Sequence, residues 1–66
     1  MTELNFWVVT KATSLSTLGD ILFETTAKGM ILQALGGLRP EEIIFSSTNK
    51  DQALRLATLE LERQDD

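Results

Sequence analysis

Apolar residues in this chain come in short runs fenced by Gly, Ser, Thr and Asn, and the rhythm changes from run to run. The most strand-like run is Glu42-Ile43-Ile44-Phe45-Ser46-Ser47, entered through Gly36-Gly37-Leu38-Arg39-Pro40 and left through Thr48-Asn49-Lys50-Asp51. β-Branched and aromatic residues fill it, and turn or cap residues close both ends. Ile43 and Phe45 fall on one side of such a strand and Ile44 on the other. Both sides call for cover, which predicts a central strand. Leu4–Lys11 reads the same way, with Phe6 and Val8 facing one side and Trp7 and Val9 the other. This strand is expected to be central, covered on both sides, or part of an interface.

Residues 12–19 are rich in small polar side chains and read as a loop or a ragged helical turn. One helix from about Ser16 to Leu35 is conceivable, but its apolar positions argue against it. At ~100° per residue, Leu18, Ile21 and Leu22 lie opposite Ala27, Met30, Ile31, Ala34 and Leu35. Thr25, Thr26 and Gly29 lower helix propensity between the two groups. Two elements fit better. Asp20 to Glu24 or Thr25 is a predicted strand, with Ile21 and Phe23 facing one way and Leu22 the other. A helix then runs from about Thr26 to Leu35, capped by Thr25 or Thr26, with Ala27, Met30, Ile31, Ala34 and Leu35 as its buried stripe. Gly36 or Gly37 stops it in a left-handed conformation, and Pro40 keeps the chain extended into the next strand.

A last helix is predicted from Asn49 to about Arg63, capped by Ser47 or Thr48, with Thr48-Asn49-Lys50-Asp51 resembling a capping box. Its main stripe is Ala53, Leu54, Ala57 and Leu61, with Asp51 and Arg55 paired on the flank. Leu56 and Leu59 lie well off that stripe. Leu59–Glu62 alternates and could instead be a strand. Gln64, Asp65 and Asp66 read as a frayed acidic tail.

The expected fold is one small α+β domain over residues 1–66, a three-stranded mixed sheet with two helices in the order β-β-α-β-α. The alternative is β-α-β-α. A right-handed crossover through the middle helix would set the strands at 20–25 and 42–47 parallel. One sheet face is expected to hold Phe6, Val8, Ile21, Phe23, Ile43 and Phe45, and the other Trp7, Val9, Leu22 and Ile44. If both helices share a face, the second face is an exposed apolar patch. If they split, the exposed feature is a sheet edge.

Size sharpens that choice. At 66 residues with 42% apolar content, the core supplies only ~3–5 kcal/mol, and self-association becomes a natural supplement. With no cysteine and no histidine, neither a disulfide nor a zinc site of the usual kind makes up the difference. The N-terminus lacks the features of a signal peptide and no run approaches the ~20 apolar residues of a membrane span, so a soluble cytoplasmic protein is expected. The formal charge is −4, with seven acids against Lys50, Arg55 and Arg63 in residues 41–66. Such a balance disfavours nucleic acid and anionic membranes as partners.

Candidate chemistry is sparse. Glu41 and Glu42 point apart in an extended chain, and the remaining acids sit near the C-terminus. Ser46, Ser47 and Thr48 are explained as caps. The glycines match neither dinucleotide nor phosphate-loop spacing. Neither an enzyme nor a cofactor or small-molecule carrier is expected. The expected function is a protein–protein module (adaptor, subunit-docking or dimerising accessory domain) that engages another protein or a second copy. Its partner-binding residues are expected to be Trp7, Val9, Leu22, Ile44, Leu56 and Leu59, with Trp7 as anchor. The alternative is an acidic inhibitor of phage or mobile-element type that mimics nucleic-acid charge on a basic protein surface.

Overall fold

Alternating side chains at Phe6–Val9 become the centre of the sheet. The computed structural model describes residues 4–64, the last through its backbone alone. Strand β1 (Phe6–Thr10) pairs antiparallel with β2 (Leu22–Thr25) on one side and with β3 (Ile43–Ser47) on the other, giving the order β2-β1-β3. The fold is α+β, a three-stranded sheet with two helices longer than two turns, α2 (Ala27–Leu35) and α3 (Lys50–Gln64). A single extra turn, α1 (Leu18–Ile21), precedes β2.

Several expectations change at this level. Neighbouring strands are all antiparallel, so the sheet is not mixed: β2 and β3 run in the same direction but β1 lies between them. The 42–47 strand is an edge, not the centre. Asp20 belongs to α1, where its carboxylate accepts the N–H of the cap residue Thr17 at 2.8 Å. That turn takes Ile21 off the sheet, so Ile21 and Phe23 do not share a strand face.

The register sets the two faces. Val9 lies opposite Leu22 and Phe45, and Val8 opposite Phe23 and Ser46. Phe45 therefore joins Val9 and Trp7 rather than Val8. The cause is a bulge: across from consecutive Val9 and Thr10, the register jumps from Phe45 to Ile43, leaving Ile44 as the extra residue.

The core lies on the Val9 face. Val9, Ala12, Ile21, Ala53 and Ala57 are buried together, with Trp7, Leu18, Leu22, Phe45 and Leu61 packed around them. Ala53 and Ala57 are one helical turn apart, and their small side chains let α3 lie close across β1 and β3. Leu59–Glu62 is helical. The cap of α3 is Asn49, whose Oδ1 accepts the Gln52 N–H at 3.2 Å; neither Ser47 nor Thr48 fills that role. Ser47 instead accepts the Asn49 N–H at 3.0 Å and donates to Gln52 Oε1 at 3.0 Å, fixing the corner between β3 and α3.

Helix α2 is where it was expected and buries none of its residues. The Thr26 hydroxyl caps it, accepting the Gly29 N–H at 3.1 Å. At its other end Leu38 N–H reaches Gln33 O at 3.0 Å and Gly37 N–H reaches Ala34 O at 3.2 Å, the paired bonds of a Schellman stop, with Gly37 at φ +115°. The expected buried stripe is not buried. Only Met30 is half-covered, while Ala27, Ile31, Ala34 and Leu35 are exposed. Pro40 opens a 3₁₀ turn, Pro40–Glu42, instead of an extended lead into β3.

Gln64 closes α3, and Asp65 and Asp66 lie outside the described residues. No helix among the described residues is long and apolar enough to cross a membrane.

Candidate functional site

The six residues expected to bind a partner separate into two groups. Trp7, Val9 and Leu22 face α3. Val9 is 0% exposed, and Trp7 and Leu22 are half-buried against the core. Lys50 at the start of α3 adds a lid, its Nζ standing 5.3 Å from the centre of the Trp7 ring. The second apolar face of the sheet is thus covered by the chain's own last helix, and Val9 is not available to a partner.

Ile44, Leu56 and Leu59 come together elsewhere. They line one groove with Phe45 and the largely buried Glu60, between the outer edge of β3 and the flank of α3, rimmed by Glu62 and Arg63. Two local features build it. The bulge places Ile44 in the same groove as Phe45, although the two are consecutive in a strand. The off-stripe positions of Leu56 and Leu59 carry them around α3, away from Ala53 and Ala57 and towards the open strand. Ile44 is 41% exposed and Leu59 49%, while Leu56 is half-buried.

The groove continues a sheet edge. β3 uses one side to pair with β1, and no charged residue or proline lies within Ile43–Ser47 to discourage pairing on the other. The opposite edge is better guarded: β2 is shorter, exposes Glu24 in its interior and is followed at once by α2. From the rim, Arg63 Nη1 reaches to 3.7 Å from Glu60 Oε2. The lining holds no hydroxyl; its polar groups are the carboxylates of Glu60 and Glu62 and the Arg63 guanidinium. Among the described residues no cluster of three or more metal-ligating acids forms.

Sequence reasoning missed Phe45 as a groove residue, because the bulge that turns it leaves no mark in a run of apolar residues. It also missed the exposed surface of α2, where Ile31, Leu32 and Leu35 are 63%, 65% and 81% exposed. Their spacing read as a buried stripe. A hollow separates that helix's last turn from the sheet, lined by Thr10, Phe23, Gln33 and Leu38 among others. Asp20 is the described titratable group with a clear shift: the bond from the Thr17 N–H holds its carboxyl below the ordinary 3.8. It lies outside the groove.

Compared with protein-family models, with curated proteins and with solved structures, the chain matches none of them.

Proposed function

We propose that the chain is a small protein–protein interaction module that receives another polypeptide along the open edge of β3. One observation carries this reading: three large apolar side chains, Ile44, Leu56 and Leu59, converge beside an uncharged edge strand. Backbone pairing along an edge supplies affinity, and a flanking apolar groove supplies selectivity. The sheet face under α3 takes no part in binding; the edge does. No catalytic role is part of the proposal.

A photo-cross-linking residue at position 59, compared with one at the exposed loop position 15, tests it in the native host. An adduct with a protein is expected at 59 and not at 15. Equal labelling at both positions, or none at 59, would remove the assignment of this groove. Retention in high salt separates it from charge mimicry, whose binding falls steeply as ionic strength rises.

A further inference from the structure

We infer that the occupant of the groove is a second copy of this chain, docked across a twofold axis with β3 antiparallel to β3 and α3 antiparallel to α3. The inference rests on the interaction reading above and names its partner.

A twofold interface demands a surface complementary to itself. The groove flank of α3 has that property. Gln52, Leu56, Leu59 and Arg63 follow one another at steps of four, three and four, which is the spacing of a helix–helix seam. The spacing reads the same in both directions. An axis level with Ala57 and Thr58 sets Leu56 opposite the partner's Leu59, and Gln52 opposite the partner's Arg63. Charge follows the same symmetry. Arg55 and Glu62 lie on the solvent side of the seam, and an antiparallel pair brings Arg55 against the partner's Glu62, twice per dimer.

The sheet agrees with the helix. A twofold axis perpendicular to the sheet that pairs β3 with β3 continues an all-antiparallel sheet from three strands to six. The same axis lays the two α3 helices side by side on the Val9 face, because α3 packs chiefly on β1 and β3. The bulge sits at the first residues of β3, leaving Phe45–Ser47 regular for pairing. Need points the same way. The fully buried apolar side chains are few and small, Val8, Val9, Ala53 and Ala57 with Ile21 the largest. A second copy would cover Leu59 and Ile44 and double the sheet.

Sedimentation equilibrium of the full chain tests this, with Trp7 fluorescence as a check on folding, since Trp7 lies under α3 and away from the axis. The wild type is expected as a dimer of the 7.3 kDa chain. Leu59→Glu should weaken it by roughly a hundredfold or more with Trp7 emission unchanged. Arg55→Glu and Glu62→Arg should each weaken it about tenfold, and the double variant should recover most of the loss. That recovery is specific to an antiparallel α3 pair. A monomeric wild type that still cross-links another protein through position 59 would overturn the second copy and leave the interaction reading intact. A dimer that survives Leu59→Glu but dissociates with Leu35→Glu would overturn the inference in favour of α2. Failure of the double variant to recover would rule out the antiparallel seam.

Discussion

The two longer helices of this chain invert what their compositions suggest. Helix α3 is the more polar, yet Ala53 and Ala57 are completely buried and it closes the Val9 face. Helix α2, Ala-Lys-Gly-Met-Ile-Leu-Gln-Ala-Leu, is the more apolar and buries nothing. The difference is one of reach. Small residues one turn apart let α3 approach the sheet, where close packing rewards every contact. Helix α2 meets the sheet chiefly at β2 and stands apart at its far end, over the hollow beside Phe23 and Gln33. Amphipathic spacing tells where a helix could be buried; the partner surface decides whether it is.

The largest test of this contrast enlarges an alanine on each helix. Ala57→Leu forces extra volume into a sealed contact and should cost ~1–3 kcal/mol or more. Ala34→Leu, on the exposed α2, should stay within about 0.5 kcal/mol of wild type. Urea unfolding followed by circular dichroism at fixed protein concentration measures both. Comparable losses would mean that α2 is held as closely as α3.

Glycines give a finer test, because α2 relies on its own ends for want of a packed face. Gly37 has φ +115°, so Gly37→Ala should cost about 1 kcal/mol. Gly36, at φ −82°, leaves only ordinary contacts for an added Cβ and should accept alanine within a few tenths of a kcal/mol. A matching loss at Gly36 would refute the Schellman stop. Gly29 differs in kind. A Cβ there would collide with the Thr25 Oγ1. Alanine would otherwise favour the helix by about 1 kcal/mol, so Gly29→Ala should destabilise the wild type and stabilise a Thr25→Ala background. A double-mutant cycle with the same sign in both backgrounds would show that Thr25 simply rotates away.

Much of the architecture is legible in the sequence, and the failures share a cause. The break between Leu22–Thr25 and Ala27–Leu35 follows from apolar stripes pointing in opposite directions, a local property. The cap at Thr26 and the stop at Gly36-Gly37 are local as well. Strand order is not, since nothing in Ile43–Ser47 tells an edge from a centre when α3 covers one face. The exchange of Phe45 between faces comes from a bulge that a run of apolar residues conceals. Within the candidate groove, the grouping of Ile44, Leu56 and Leu59 as apolar side chains left outside the core is legible because two of them break a helical stripe. Trp7, Val9 and Leu22 read as part of the same surface because the sequence does not say which face α3 covers.

The smallest expected effect separates the two sides of the molecule by pH. On the sealed side, α1 packs against α3 and its first turn is held by a carboxylate, Asp20, that accepts the Thr17 N–H. On the open side, α2 is capped by the uncharged Thr26 hydroxyl. The hydrogen bond keeps the folded Asp20 carboxyl below its ordinary value of 3.8, so folding favours the ionised form. Its stabilisation is therefore fully present above the unfolded value and is lost as pH falls through the folded one. Acid should then loosen α1 while leaving the cap of α2 in place. Carboxyl-detected NMR should place the Asp20 midpoint below 3.8, with the Ile21 methyls responding at the same midpoint and Met30 unmoved by it. Asp20→Asn should abolish that response at Ile21. A midpoint at or above 3.8, or a Met30 shift that tracks Asp20, would show that the two sides are not separately held.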